Sequence, residues 1–296
     1  MIKSFFDKLV VDYQVNTSLK NYNTYKIDTI CDYLVFPKDE KELISILKEI
    51  KKSNLKYLIL GNGSNIILSK AIYNGIVIKL DKLNKVTYNG SLVTVGAGYS
   101  LIKLAVETIE KGLSGLEFAA GIPGCVGAST AMNAGAYNSD MATVVKEVKV
   151  LTPNFEIITM TNSDLEYEYR DSFLKKHQGY IVLEVIFELT TGEVDAMKKL
   201  IAERRLKRIA SQPLNMPSAG SVFRNPEGMY AGELIEKSNL KGYTIGGAKV
   251  SEKHANFIVN NGSATGQDII DLINKIQKEV KANYNVSLRI EQIIIE

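Results

Sequence analysis

The sequence predicts an α+β protein. Short apolar runs of strand length recur along the chain, a few longer segments carry helical periodicity with recognisable caps, and the two kinds do not alternate regularly. That order disfavours a doubly wound sheet, which needs a helix after nearly every strand.

DYLVFP (32–37) reads as a strand closed by Pro37, and DEKELISILKEIKKSN (39–54) follows with Leu43, Ile44, Leu47 and Ile50 on one helical face. LKYLIL (55–60) is a strand that ends abruptly at GNGSN (61–65). GIVIKL (75–80) and SLVTVGAG (91–98) are further strands, with Asn89-Gly90 marking a hairpin turn. SLIKLAVETIEKG (100–112) is a helix with Ser100 as N-cap and Gly112 as stop.

Regular pattern dissolves into small residues over 113–139, then strands return in VVKEVKVLT, FEIITMT and YIVLEVIFELT. A charged helix (193–210) precedes the final third. There TGQDIIDLINKIQKEVKANY (265–284) opens on a Thr265/Asp268 capping box and carries Ile269, Leu272, Ile273, Ile276 and Val280 as its stripe. Pattern changes near 80 and 195 divide the chain into 1–80, 81–195 and 196–296.

Composition narrows the function classes. The formal net charge is only +3, and the densest basic stretch, ERRLKRIA (203–210), has the spacing of a solvated helix face, so no nucleic-acid partner is expected. Cys31 and Cys125 are the only cysteines, which leaves no disulfide framework and no CxxC metal site; no metal is expected. No stretch approaches the roughly 18 apolar residues of a membrane span, and MIKSFFDKLVVDY lacks the apolar run of a signal peptide. A cytoplasmic monomer is the expectation.

The glycine segments carry chemistry. In GNGSN, consecutive small residues after a strand can aim backbone N–H groups at one point, a nest for an anion such as a phosphate. Ile66 stands where a dinucleotide fingerprint needs its last glycine, and no GK[ST] occurs, so neither a Rossmann motif nor a P-loop is present. GIPGCVGAS (121–129) spaces Gly121, Gly124 and Gly127 by three around Pro123, and NAGAY (133–137) adds another small-residue loop. Together they point to a nucleotide-type cofactor approaching the backbone closely, with tight turns buried for their own sake as the bland alternative. In PSAGSVFRNP, Ser221 invites the thought of a nucleophile, yet the chain's two histidines, His177 and His254, are remote in sequence and no G-x-S-x-G elbow is present.

Taken in order, GNGSN, GIPGCVGAS, MNAGAY, YEYRDSF (167–173), PSAGSVFRNP and LRIEQIIIE (288–296) resemble the UDP-N-acetylenolpyruvoylglucosamine reductase (MurB) family, in its shorter subclass without an extra tyrosine loop. The resemblance runs from about residue 20 to the C-terminus. It implies a three-domain α+β flavoprotein whose first two domains form a vanillyl-alcohol-oxidase-like FAD-binding unit and whose third binds the UDP-sugar. It implies that NADPH reduces FAD, and that the flavin then passes hydride to the enolpyruvyl group, giving UDP-N-acetylmuramate for peptidoglycan synthesis.

Residue by residue, the resemblance assigns catalysis to Ser221, Arg170 and Glu291. FAD would be held by Gly61, Asn62, Gly63, Ser64, Asn65, Gly121, Ile122, Pro123, Gly124, Gly127, Ser129, Asn133, Gly135, Ala136, Tyr137 and Arg208. Asn225 and Arg224 would meet the UDP-sugar diphosphate. Hydride arriving at C3 leaves charge at C2 and the carboxylate, which calls for a guanidinium (Arg170) and a donor (Glu291, with a pKa raised among apolar neighbours). Ser221 would supply the proton to C2; against a carbanion-like carbon a hydroxyl needs no histidine. Cys125 and Ser211 depart from the family pattern at positions that often carry Ser or Thr and Lys. The rival readings are a serine hydrolase using Ser221 and a flavin- or nucleotide-binding module without activity.

Overall fold

The computed structural model describes residues 2–296, which group by compactness into two units. One gathers residues 2–15, 33–61 and 75–205; the other gathers residues 16–32, 62–74 and 206–296. Pattern changes mark where element types change, whereas a compact unit is defined by which distant runs pack together.

In chain order the elements are α1 (Ile2–Leu9), β1 (Asp12–Ser18), β2 (Ile30–Phe36), α2 (Glu40–Lys52), β3 (Tyr57–Ile59), β4 (Ile66–Leu68), β5 (Ile72–Ile78), β6 (Val86–Asn89), β7 (Leu92–Gly96), α3 (Leu101–Glu110) and β8 (Leu113–Ser114). Then come α4 (Val126–Ala131), β9 (Gly135–Ala136), β10 (Ser139–Asp140), β11 (Val145–Leu151), β12 (Ile157–Thr161), α5 (Phe173–Lys176), β13 (Ile181–Glu188), β14 (Thr190–Thr191) and α6 (Val194–Ser211). The last are α7 (Ala231–Lys237), β15 (Thr244–Ile245), β16 (Ala248–Val250), β17 (Ile258–Asn260), α8 (Gly266–Tyr284) and β18 (Ile293–Ile295). Asp39, Ser100 and Thr265 cap α2, α3 and α8 by accepting N–H bonds from Glu42, Lys103 and Asp268. The expected capping box is formed, with Asp268 reaching back to the Thr265 N–H. The stretch 113–139 is not structureless: α4 lies inside it, formed by residues too small to show a hydrophobic period.

The first unit is built on an antiparallel sheet of order β12-β11-β13-β7-β6. The β6–β7 hairpin pairs Asn89 with Leu92, so its loop is Gly90-Ser91, one residue later than the Asn-Gly signal suggests. Val93, Val95, Val148, Val150, Val185 and Phe187 are buried in its core with Leu101, Leu104 and Val126. Each such side chain contributes about 1.5–3 kcal/mol on burial. In α6 only Met197 is buried among the described residues, as the charged composition of 203–210 anticipates.

The second unit packs α8, through Ile269, Leu272, Ile273, Ile276 and Val280, beside the small sheet β15-β16-β17. Its other pairing is parallel: β18 lies along β4, with Ile293 opposite Ile66, so the end of the chain runs beside the residues that follow GNGSN. Gly266 permits this unit to close, since a Cβ there would lie 1.8 Å from the Leu68 carbonyl oxygen.

Candidate functional site

In the first unit the glycines serve close approach of the protein to itself. A Cβ on Gly61 would lie 2.9 Å from the Cys125 sulfur, on Gly124 2.5 Å from Ser129 Oγ, and on Gly127 2.7 Å from Ala97 Cβ. Burial pushes the Cys125 thiol up, so it stays a neutral group packed against Gly61. The Gly61 carbonyl accepts from the ammonium of Lys79 at 2.8 Å, and Lys79, itself almost fully buried, also meets Asp81 at 3.3 Å. Pro123 and Ala128 remain exposed and Gly121 and Ile122 half-buried, so this loop keeps a face open to a ligand.

Arg170 is tied to the NAGAY loop. Its guanidinium donates to the Gly135 carbonyl, Ser172 Oγ donates to Ala131 O at 2.6 Å, and Asn133 Nδ2 donates to Glu168 O at 2.8 Å. Asn133 also donates to Asp140 and accepts from the Ala142 N–H, so its side chain is spent inside the protein. Its part is to join the two loops. Glu168 pairs with Lys176 at 2.6 Å. Arg170, Asn133, Tyr137, Asn138 and Glu166 all have positive φ without being glycine, a cluster of unfavourable backbone of the kind that gathers at functional sites. Tyr137 is exposed, with its hydroxyl donating to Arg204 O at 3.2 Å and the Arg204 guanidinium over its ring.

In the second unit the rest of GNGSN has the Gly63 and Asn65 carbonyls tied back and its donors unspent. Gly63 O accepts from the Thr24 N–H (3.1 Å) and hydroxyl (3.3 Å), and Asn65 O accepts from the Ile293 N–H at 2.9 Å. Among the described residues, the N–H groups of residues 62–65 have no internal partner. Gly63 sits at φ +61°, and a Cβ there would lie 2.3 Å from Tyr22 O. Unspent consecutive amides on a small-residue run are the donor set a diphosphate such as that of FAD requires, so the residues present fit that group.

The segments that carry Ser221 and Glu291 pair in this unit. Ser221 bridges Phe257 and Phe223 bridges Ile290, both antiparallel. Val222 N–H donates to Asn256 O at 2.9 Å, and Glu291 N–H donates to Val222 O at 2.8 Å. Asn65 Nδ2 reaches Glu291 O at 3.4 Å from 226 residues away, which sets the glycine run beside the same strand. Ser221, Glu291, Arg224 and Arg208 are half-buried. Asn225 uses its side-chain oxygen to accept from the Ala231 N–H at the start of α7, which leaves its NH₂ group for other contacts. His254 is held neutral by burial, with Nδ1 accepting from the Asn256 N–H at 3.3 Å; it is a structural hydrogen bonder. His177 is exposed and stacks on Phe173.

Sequence reasoning missed Tyr25, Lys79, Asn256 and Gln292, all buried polar groups bonded around these segments. The one available signal was a polar residue inside an apolar run, as in VIKL and EQIII.

Two family models match parts of the chain. Residues 31–161 match the FAD binding domain family model, and residues 212–295 match the model for the C-terminal domain of UDP-N-acetylenolpyruvoylglucosamine reductase. The UDP-N-acetylenolpyruvoylglucosamine reductase of Clostridium perfringens is 43% identical over 284 residues, covering 96% of this chain and 93% of the relative. The crystal structure of the Thermus caldophilus reductase (MurB) superposes with a TM-score of 0.82 at 32% identity, covering 97% of this chain and 99% of that one. A variant of Physcomitrella patens BBE-like 1 shares the fold alone, at 17% identity and TM-score 0.50 over 64% of this chain and 44% of that one.

Proposed function

The chain belongs to the UDP-N-acetylenolpyruvoylglucosamine reductase family, and from that premise we propose that it reduces UDP-N-acetylenolpyruvoylglucosamine to UDP-N-acetylmuramate with FAD as cofactor and NADPH as reductant. When bound, FAD supplies the hydride that adds to C3 of the enolpyruvyl group. The protein's part is to hold the reacting groups and to manage charge and proton. Arg170 forks onto the substrate carboxylate, and its unfavourable backbone is consistent with an arginine held for a ligand. Glu291 faces the developing enolate as a donor. Ser221 gives the proton of its Oγ to C2, completing addition of hydride and proton across the double bond, and the alkoxide regains a proton from solvent. Asn225, through its NH₂ group, and Arg224 take the diphosphate.

The amides of residues 61–65 and the loops at 121–129 and 133–137 hold the flavin. In this reading residues 1–80 and 81–195 serve the cofactor and 196–296 the UDP-sugar, and the enzyme is a cytoplasmic monomer.

The observation that carries the reading is the lateral pairing of the Ser221 segment with that of Glu291 through the Glu291 N–H to Val222 O bond. It also weighs against a serine hydrolase. His254, near the Phe257 that bridges Ser221, has its Nδ1 on a backbone amide where a triad needs an orienting carboxylate. Stopped-flow absorbance tests the proposal on Ser221→Ala. Flavin reduction by NADPH should persist, while reoxidation by substrate slows at least ~10²-fold, the low end for a lost general acid. Equal losses in both half-reactions would remove Ser221 from the chemistry.

A further inference from the structure

Ser221 lies in a segment whose backbone carbonyls converge on a single side chain. Gln292 is almost fully buried, at 5% exposure, although Ile293 and Ile294 beside it are exposed. Its Nε2 donates to Ala219 O at 3.0 Å, with the Gly220 and Ser221 carbonyls at 3.3 and 3.4 Å. Its Oε1 accepts from the hydroxyl of Tyr25 at 3.0 Å, and Tyr25 is itself fully buried. The amide therefore has both ends engaged, one on a fixed phenol and the other on the consecutive carbonyls before and at Ser221. Another side-chain strap on this segment is Asn256. It accepts from the Phe223 N–H at 3.0 Å and donates to Phe223 O at 2.8 Å, but those bonds lie after Ser221. Gly220, at φ +75° with open space where its Cβ would be, leaves the peptide just before Ser221 free to rotate unless something holds it.

We infer that Gln292 is a positioning residue for the proton transfer by Ser221. With Tyr25 behind it, it turns the carbonyls of residues 219–221 to the interior and so fixes the face on which the Ser221 hydroxyl emerges. A carboxylate in its place would present acceptors to those carbonyls, and an apolar residue would leave them and the Tyr25 hydroxyl buried without partners. The inference rests on Ser221 being the proton donor, and the experiment separates the two.

The test uses the full chain with FAD bound, as Gln292→Leu, Tyr25→Phe and Ser221→Ala, together with the Ser221→Ala/Gln292→Leu double variant. Gln292→Leu should slow reoxidation by substrate about 10–100-fold, the scale of a misplaced reacting group, while reduction by NADPH changes less than about twofold. Tyr25→Phe, a milder change that keeps the ring, should slow the same half-reaction about threefold. In the Ser221→Ala background Gln292→Leu should add nothing, because it acts through the missing hydroxyl. In Gln292→Glu the reoxidation rate should recover as pH falls and the protonated acid regains a donor. A readout free of flavin is hydrogen exchange: in the flavin-free protein, amides of 220–224 should exchange at least about tenfold faster in Gln292→Leu.

If Gln292→Leu and Tyr25→Phe slow both half-reactions equally, or leave reoxidation unchanged while Ser221→Ala slows it, the positioning role is wrong. If Ser221→Ala leaves reoxidation intact, it is the proton-donor reading that fails.

Discussion

Replacing Gly63 with alanine probes the glycine run directly. Gly63 lies at φ +61°, and the new methyl would sit 2.3 Å from Tyr22 O, 2.7 Å from Asn23 Cα and 3.0 Å from Asn23 Cβ. These atoms cannot easily give way. The Asn23 side chain pins its own turn, donating to Leu19 O at 2.8 Å and Ile27 O at 2.9 Å and accepting from the Ile27 N–H at 3.0 Å. A left-handed backbone costs a non-glycine residue about 1–2 kcal/mol. Overpacking against fixed atoms adds about 1–3 kcal/mol, and the stiffer unfolded chain returns about 0.4–1 kcal/mol. The net loss is about 1–5 kcal/mol, centred near 3.

Gly90→Ala is the control, since Gly90 has φ +58° with nothing near its would-be Cβ, so it carries the backbone cost alone, about 1 kcal/mol. Urea unfolding of the flavin-free protein measures the difference. The chain has 15 tyrosines and no tryptophan, so tyrosine fluorescence is the probe. Flavin titration should show an affinity loss of at least about tenfold for Gly63→Ala, because the displaced turn carries the amides of residues 62–65. Equal destabilisation by the two substitutions, or unchanged flavin affinity, would refute the reasoning.

Lys79→Met removes the ammonium from the Gly61 carbonyl, and a hydrogen bond to a charged group is worth about 1.5–3 kcal/mol; flavin affinity should fall about tenfold by titration, and an unchanged value would detach Lys79 from the loop. His254 sets a pH dependence. Burial lowers its folded pKa below the ordinary 6.5, so the unfolded chain binds the extra proton first and stability is lost as pH falls below that value. Urea midpoints compared at about pH 7.5 and 5.5 should drop more for the wild type than for His254→Gln, and parallel drops would rule out the linkage.

Much of the candidate site was legible because its signals are local. GNGSN, GIPGCVGAS and NAGAY are runs where side chains are absent, and absence shows in one dimension. The capping box at Thr265 and the stripe of α8 were equally plain, since both depend on residues within one or two turns. The burial of the last strand was not. In EQIII, hydrophobicity makes the isoleucines the inward residues, yet Gln292 is buried and Ile293 and Ile294 are exposed. Hydropathy measures transfer out of water, and it cannot see that the Tyr25 hydroxyl and the carbonyls of 219–221 await a partner there.

The chain's own sequence determined the fold class, the helix ends, the loops fit for a diphosphate and the family, because each follows from neighbouring residues or from motif order. Tertiary structure decided which distant segments share a unit, that Arg170 is bound to the loop at Gly135, and that the Ser221 segment pairs with that of Glu291 while Gln292 bonds its carbonyls. Those outcomes rest on pairings between remote backbone groups. A hydrogen-bond donor in a sequence carries no mark of the acceptor it will meet, and only folding brings the two within 3 Å.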